Sequence, residues 1–145
     1  MTAAHLPLNI PALLARTPLF QGLTASEIDL INSGAREVAI DRGAVLFRRG
    51  DPSDGFYLVV YGQIKLSFLS PQGSEKVVEI MGPGQSFGEA VMFMEKPYPV
   101  YAQTLGDSLL LHIAKATVFE EISRDPGLAR RVLAGRSRRP PGPSG

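Results

Sequence analysis

The chain has 145 residues with 44% hydrophobic and 20% charged side chains, a soluble globular composition with room for one real core. It contains no cysteine, which excludes disulfides, thiolate zinc sites, cysteine-ligated iron–sulfur clusters and a cysteine nucleophile. The net charge of +1 hides an asymmetry, because residues 1–129 carry ten basic and fourteen acidic side chains, whereas residues 130–145 carry five arginines and no acid.

The first part of the chain predicts a short helical entry segment. Three prolines interrupt the apolar residues 1–23, so we expect only short helical turns there. Thr24 and Glu27 have the spacing of a capping box, in which a hydroxyl opens a helix and a carboxylate three residues later bonds back to its first amide. Three side chains then form the apolar face of the predicted helix: Ile28, Leu30 and Ile31.

Between residues 36 and 114 the sequence has the pattern of short β-strands. Turn sequences that contain glycine, several with aspartate or proline beside it, recur about every ten residues. This spacing predicts an antiparallel sandwich or barrel. The predicted strands are 37–40, 45–47, 56–61, 64–69, 76–81, 98–104 and 108–113.

After Ala114 the apolar spacing becomes helical again. Asp125 and Pro126 have the form of a helix N-cap followed by proline at the first helical position, which predicts a second helix from there. Gly135 weakens that helix and the prolines from residue 140 end it, so residues 140–145 are expected to be disordered. The apolar residues of the two helices are Val118, Phe119 and Ile122 in the first and Leu128, Val132 and Leu133 in the second.

Four local motifs follow one another along the chain, at residues 19–27, 46–62, 86–90 and 113–115. Their order and spacing resemble the sensor domain of the Crp/Fnr family of bacterial transcription regulators, over roughly residues 18–135. The resemblance implies a mainly β fold with flanking α-helices, a double-stranded β-helix or jelly-roll barrel of the cyclic-nucleotide-binding type. It divides the chain into an N-terminal extension (1–17), a sensor domain (18–125), the start of a dimerisation-type helix (126–139) and a tail (140–145).

The motif around Gly88 and Glu89 lies where such proteins keep their phosphate-binding cassette. In members that bind cyclic nucleotides, the glycine amide faces the phosphate and the glutamate accepts a hydrogen bond from the ribose hydroxyl. The methionine-rich segment 87–97 looks most like the nitric-oxide-responsive, denitrification-type regulators. The resemblance implies a candidate pocket formed by Gly88, Glu89, Ala90, Lys96, Val100 and Tyr101.

One expected residue is missing from this pocket. Cyclic-nucleotide-binding members carry an arginine about ten residues after the glutamate, but here no arginine occurs between Arg49 and Arg124. A buried phosphate without a charge-assisted partner is costly, and Lys96 lacks the bidentate fork of arginine. We therefore expect cyclic AMP to bind weakly or not at all. In the alternative interpretation, Gly88 and Glu89 only turn a strand into a short helix.

The resemblance to nitric-oxide-type regulators makes haem a candidate cofactor. Its axial ligands would come from His112, His5 or a methionine. In the alternative interpretation, His112 is a structural or exposed strand residue. Four side chains either line an apolar cofactor pocket or simply fill the core: Met81, Met92, Phe93 and Met94.

The sequence contains no Gly-x-Ser-x-Gly elbow, His-Glu-x-x-His motif, Walker A loop or Gly-x-Gly-x-x-Gly loop, so we expect neither an enzyme nor a metal site. Two functions remain. The first is a domain that senses a small-molecule, gas or redox signal for a transcription regulator. The second is a stand-alone cyclic-nucleotide-binding adaptor that acts through protein contacts.

The expected partners follow from the ends of the sequence. Family members form homodimers through a long helix and read DNA with a winged helix-turn-helix, and neither pattern continues after Arg139; a frameshift or an engineered end would explain this. We expect a weak dimer or a monomer, and only non-specific, salt-sensitive attraction of the arginine tail to DNA.

No apolar run reaches the roughly 18 residues of a membrane helix and no basic signal region is present, which predicts a cytoplasmic protein without membrane contact.

Overall fold

The computed structural model describes residues 9–17, 20–127 and 130. In this part of the chain two helices precede eight strands, a third helix lies between the sixth and seventh strands, and a fourth follows the last strand. The elements are α1 (Ile10–Arg16), α2 (Ala25–Asn32), β1 (Ala35–Ile40), β2 (Val45–Phe47), β3 (Gly55–Tyr61), β4 (Ile64–Leu69), β5 (Glu75–Met81), β6 (Ser86–Phe87), α3 (Glu89–Met94), β7 (Tyr101–Thr104), β8 (Ser108–Ala114) and α4 (Lys115–Arg124).

The strands form two antiparallel sheets. The first sheet has the order β1-β8-β3-β6 and the second has the order β2-β7-β4-β5. Strands that are distant in sequence are neighbours in space, as in the predicted jelly roll. The predicted fold class, mainly β with flanking helices, is confirmed.

The first sheet separates two hydrophobic cores. Phe56 and Leu58 of β3 pack toward the helices, whereas Tyr57 and Val59 pack between the two sheets. Because successive strand residues point to opposite faces, a strand that is buried on both faces needs an unbroken apolar run. This explains why β3 and β8 are almost entirely buried along their length.

The helix α1 agrees with the expected short helical turns, since it has only about two turns. It is a continuous helix of seven residues, and the side chain of Asn9 caps it by accepting a hydrogen bond from the amide of Ala12 at 3.1 Å. Pro11 lies in the first turn, where its missing N–H removes no helical hydrogen bond. Leu14 is fully buried in the core on the helix side of the first sheet, so α1 packs onto the barrel.

The capping box at the start of α2 is confirmed. The amide of Glu27 donates to Thr24 Oγ1 at 3.1 Å, and the amide of Thr24 donates to Glu27 Oε1 at 2.9 Å. Ile28 and Ile31 are buried as predicted. Leu30 is 41% exposed, so its assignment to the apolar face is wrong.

The predicted strand 98–104 begins later than expected. Its strand conformation starts at Tyr101, because Pro97 and Pro99 lack the N–H groups that a strand ladder needs. The two-residue strand β6 was missed, since two residues are too few for an alternating pattern. The other predicted strands agree with the structure to within two residues at each end.

The described residues include only the beginning of the predicted C-terminal helix. Asp125 Oδ1 accepts a hydrogen bond from the amide of Gly127 at 3.0 Å, as expected of the predicted N-cap. Most of the predicted helix 126–139, the tail 140–145 and His5 lie outside the described residues. Within the described part, no helix is long and apolar enough to cross a membrane.

Candidate functional site

The candidate site starts at the turn between β6 and α3. Gly88 has φ of 92°, a left-handed conformation that only glycine adopts at little cost, and it occupies the N-cap of α3. A Cβ atom at this position would lie 3.5 Å from Cε1 of Tyr98 and 3.7 Å from Cα of Phe56. Both distances are ordinary van der Waals contacts, so the position requires glycine for its left-handed conformation and not for space.

Glu89 is buried directly after this glycine. Its carboxylate accepts a hydrogen bond of 2.6 Å from the hydroxyl of Ser86, which is also buried. A buried carboxylate is tolerated only when it has such partners. Ser86 and Glu89 thus form a buried hydrogen-bonded pair. A ligand hydroxyl that approached Glu89 would compete with Ser86 for a hydrogen bond to the carboxylate.

The other predicted pocket residues do not all meet Gly88 and Glu89. Ala90 is half-buried in the first turn of α3, and Val100 packs against the core between the sheets. Tyr101 lies on the opposite face of β7 from the fully buried Ala102, so its side chain points away from that core. Neither Ala90 nor Tyr101 is among the residues that pack in the core between the sheets, so the common pocket of the six residues stays a prediction.

Lys96 lies at the far end of α3 from Gly88. The helix of six residues is about 9 Å long, and the left-handed conformation of Glu95, with φ of 54°, turns the chain at its end. Lys96 is exposed and borders a separate cavity. The cation that the sequence offered as a substitute for arginine is thus placed away from the start of α3.

Tyr98 is the residue that the sequence analysis missed. It is 4% exposed, its ring is stacked on Phe47 with centroids 3.6 Å apart and planes 6° apart, and its hydroxyl donates to the carbonyl oxygen of Gly55 at 3.1 Å. Burial, aided by the charges of Asp51 and Asp54 and by Tyr57, raises the pKa of Tyr98 well above its usual value. Tyr98 therefore enters the site as a neutral hydroxyl.

Tyr98 belongs to an aromatic cluster between the two sheets. Phe87 stacks on Tyr57 with centroids 5.4 Å apart, and Phe47 lies 6.1 Å from Tyr57 and 6.3 Å from Phe87. Burial, followed by the negative charge of Asp54, raises the pKa of Tyr57. The cluster fills this part of the barrel with rings that carry no charge.

His112 has surroundings that do not fit axial haem ligation through Nε2. This nitrogen lies 3.3 Å from Oδ1 of Asp54, and a Cβ at Gly55 would be only 2.5 Å from it, so the backbone of β3 covers it. The ring also meets Tyr57 edge-on at 5.1 Å. Haem binding by the chain stays a prediction, and the described geometry offers no role in it for this nitrogen.

The methionine-rich segment is divided between core and surface. Met81 and Met92 are buried in different cores, one between the sheets and one on the helix side. Met94 is 57% exposed. These residues, together with Phe93, therefore do not surround a single space. Within the described residues, no group of three or more metal-binding side chains comes together.

Two cavities are lined by described residues. One, of about 190 Å³, lies between α1 and β3 and is mainly apolar, with Arg16 and Thr17 at its wall. The other, of about 350 Å³, lies between the loop 50–54, the end of α3 and the start of α4. Lys96 borders the second cavity, together with Glu95 and Lys115.

The helices α3 and α4 touch each other directly. The rings of Phe93 and Phe119 are stacked with centroids 6.0 Å apart and planes 15° apart. Nζ of Lys115 lies 3.7 Å from Oε1 of Glu95 and 6.0 Å from the centroid of the Phe119 ring. A displacement of the short helix that starts at Gly88 would therefore reach the first turns of α4.

Comparison with known proteins identifies the protein family that has this fold and the turn at Gly88. The sequence model of the cyclic nucleotide-binding domain matches residues 37–125. The chain belongs to this family.

Its relatives include bacterial transcription regulators. The chain is 32% identical over 130 residues to the CRP-like cAMP-activated global transcriptional regulator of Mycobacterium tuberculosis, which covers 88% of this chain and 58% of that protein. The sensor domain of the transcriptional regulator DNR from Pseudomonas aeruginosa superposes with a TM-score of 0.77 at 32% identity, covering 88% of this chain and 86% of that one. A second crystal structure of DNR from Pseudomonas aeruginosa has a TM-score of 0.83 at 30% identity, and the match covers 93% of this chain and 60% of the other. The chain thus spans little more than half the length of the whole regulators that it matches.

Proposed function

We propose that this domain senses an effector for a Crp/Fnr-type transcription regulator in the cytoplasm, and that the effector is not a cyclic nucleotide. The observation that carries the proposal is the direct contact between α3, which starts at the Gly88 turn, and α4, which leads toward the C-terminal part of the chain. An effector that moved α3 would change the position of α4. The proposed role is regulatory and involves no catalysis.

The nature of the effector follows from the side chains around α3. The buried groups there are the Ser86–Glu89 pair and the uncharged aromatic cluster. A phosphate placed among them would meet no buried arginine or lysine among the described residues, which is unfavourable in a medium of low dielectric constant. Small molecules, gases bound to a cofactor, and redox signals meet no such penalty. Haem remains a candidate cofactor on the strength of the resemblance to nitric-oxide-type regulators.

The proposed coupling, by which a movement of α3 changes the position of α4, depends on one pair of stacked rings and one ion pair. The ion pair between Glu95 and Lys115 is partly exposed and contributes little alone, so the contact between Phe93 and Phe119 should carry most of the coupling. If the chain functions within a longer regulator, its partners are a second copy and DNA. Both are assigned here by similarity.

A stand-alone cyclic-nucleotide-binding adaptor is the second candidate. The left-handed Gly88 followed by Glu89 and the similarity to a cAMP-activated regulator favour it. It requires that cyclic AMP bind despite the aromatic side chains around the turn.

Two titrations of the purified chain test the effector class. Isothermal calorimetry with cyclic AMP and cyclic GMP is expected to give no binding in the micromolar range. A dissociation constant of that order would favour the adaptor and contradict the proposal. Haem is added in a parallel experiment, and a saturable shift of its Soret absorbance would favour a haem-linked signal.

The mobility of a spin label on α3 tests the proposed coupling between α3 and α4. Because the chain has no cysteine, Met94→Cys places a single label on the exposed end of α3. We expect Phe119→Ala to increase the mobility of this label, since α3 then loses its stacking partner. Phe68→Ala, a change of an exposed ring on β4, is the matched control and should leave the spectrum unchanged. Equal spectra for both variants would contradict the coupling.

A further inference from the structure

The segment that follows α3 holds one side chain in a fixed position inside the domain. Pro97 and Pro99 restrict the backbone on both sides of Tyr98. The amide of Tyr98 donates to the carbonyl oxygen of Asp51 at 2.9 Å, and the amide of Gly50 donates to the carbonyl oxygen of Tyr98 at 2.8 Å. The backbone at Tyr98 is therefore attached to the loop that precedes β3, and the ring cannot move away by a simple shift of the segment.

The ring of Tyr98 occupies the space beside the glycine turn. Its Cε1 atom would be 3.5 Å from a Cβ at Gly88, which is ordinary van der Waals contact. The opposite side of the ring system is covered by Phe47, at a centroid distance of 3.6 Å. A ligand group that approached the backbone of Gly88 from this side would have to displace the ring from its stack.

The hydroxyl of Tyr98 is already engaged. It donates to the carbonyl oxygen of Gly55, which belongs to the strand β3, and its burial keeps it neutral. It therefore offers a phosphate neither a positive charge nor a free proton. An arginine in the same segment would provide a planar fork of donors.

We infer that Tyr98 is the specificity-determining residue of this site: it fills the space beside Gly88 with a neutral, stacked ring and so restricts the site to effectors without a phosphate. This inference rests on the proposed function and names the side chain that enforces it. It also explains why Lys96 is no substitute, because Lys96 lies beyond the turn at Glu95 and borders the cavity between α3 and α4.

The test is a gain of cyclic-nucleotide binding. Tyr98→Arg is expected to tighten the dissociation constant for cyclic AMP, measured by calorimetry, by about tenfold or more relative to the parent chain, because the guanidinium supplies the missing charge-assisted hydrogen bonds. Lys96→Arg places the same group two residues away at an exposed position and should leave binding unchanged. Tyr98→Ala opens the space without adding charge and should give a smaller gain than Tyr98→Arg.

Circular dichroism and thermal melting establish that each variant is folded. If Tyr98→Arg does not fold, Tyr98→Lys carries the same test with a slimmer cationic side chain. A folded cationic variant that binds cyclic AMP no better than the parent overturns the inference, as does Lys96→Arg with an equal gain.

A different result would contradict the proposed function itself. It would appear as micromolar binding of cyclic AMP by the parent chain with Tyr98 in place. The parent titration therefore tests the proposed function, and the comparison between variants tests the role of Tyr98.

Discussion

At the scale of single residues, backbone crowding marks positions that tolerate no side chain. Gly55 opens β3 opposite Ala114, and a Cβ there would collide with the carbonyl oxygen of Ile113 and with the ring of His112. Neither neighbour can retreat, since one is backbone and the other is held in the barrel by Asp54 and Tyr57. The glycine is required by space and not by its dihedral angles.

We therefore expect Gly55→Ala to destabilise the domain by about 2–3 kcal/mol, in the range of overpacked cores. Gly106→Ala is the matched control, because a Cβ at that glycine meets nothing within 4 Å. Urea unfolding of the two variants measures the difference, and Gly106→Ala should stay within about 0.5 kcal/mol of the parent. Equal losses for both would contradict the crowding at β3.

The buried Tyr98 hydroxyl makes stability depend on alkaline pH. Its folded pKa is raised, so its contribution is fully present below the ordinary tyrosine value of 10.0 and is lost as the pH rises above it, where the unfolded chain releases the proton first. Tyr98→Phe should be less stable than the parent near neutral pH by about 1 kcal/mol, because one hydrogen bond is lost.

Above pH 10 the stability of Tyr98→Phe should fall less steeply than that of the parent, because one group with a raised pKa is gone. Urea midpoints measured across the alkaline range give both slopes. Parallel curves for the two proteins would show that this hydroxyl titrates in the same way in the folded and unfolded states.

At the scale of elements, the sequence predicted the strands better than the connections. Strand β4 has clear turns at both ends and was found with the correct bounds. The bounds of α1 were not predicted because proline was treated as a breaker, although at the first helical turn it is compatible with a helix. Residues 98–100 look like strand by composition, but Pro99, the preceding Pro97 and the tertiary hydrogen bonds of Tyr98 hold them outside it.

The candidate site was found only in part for the same reason. Gly88 and Glu89 lie in a local motif, so the resemblance indicated them. The burial of Tyr98 depends on Phe47 and Gly55, which are more than forty residues away in the chain, and no local pattern contains that information. The position of Lys96 follows from a left-handed turn at Glu95, and the sequence does not indicate this turn because glutamate seldom adopts that conformation.

The hairpin of β4 and β5 is the element most exposed to solvent. Strand β5 forms an edge of the second sheet, and all of its residues except the last are exposed. Long apolar edges of this kind pair with other chains. The exposed apolar side chains of the hairpin are Phe68, Leu69, Val77, Val78 and Ile80.

We expect this hairpin to drive weak self-association. Ile80→Thr keeps a β-branched residue opposite Lys65 and should raise the dissociation constant for self-association roughly fivefold, as expected for the loss of about 1 kcal/mol of apolar contact. Val45→Thr, an exposed β-branched position on the opposite edge strand, is the control. Sedimentation velocity over a range of concentrations gives both values. An equal effect of the two changes would place the contact elsewhere.

At the scale of the whole molecule, the domain consists of a barrel and a helical layer that share one sheet. Helix α3 contributes Met92 to the core on the helix side, whereas Phe87, just before the Gly88 turn, belongs to the core between the sheets. The turn at Gly88 therefore joins the two cores, and a change at this turn alters the packing on both sides of the first sheet.

The position of a strand in the fold also determines how fast its backbone amides exchange with deuterium, and two strands illustrate the extremes. Strand β8 lies between β1 and β3 and is covered on both faces, so its amide hydrogens should exchange with deuterium only when the whole domain unfolds. Strand β5 has one neighbour and little cover, and its amides should exchange through local opening that leaves the rest of the molecule intact. The Gly88 turn would then be attached through β6 to β3, the neighbour of this slowly exchanging strand, while the hairpin opens and closes many times within the lifetime of a single folded molecule.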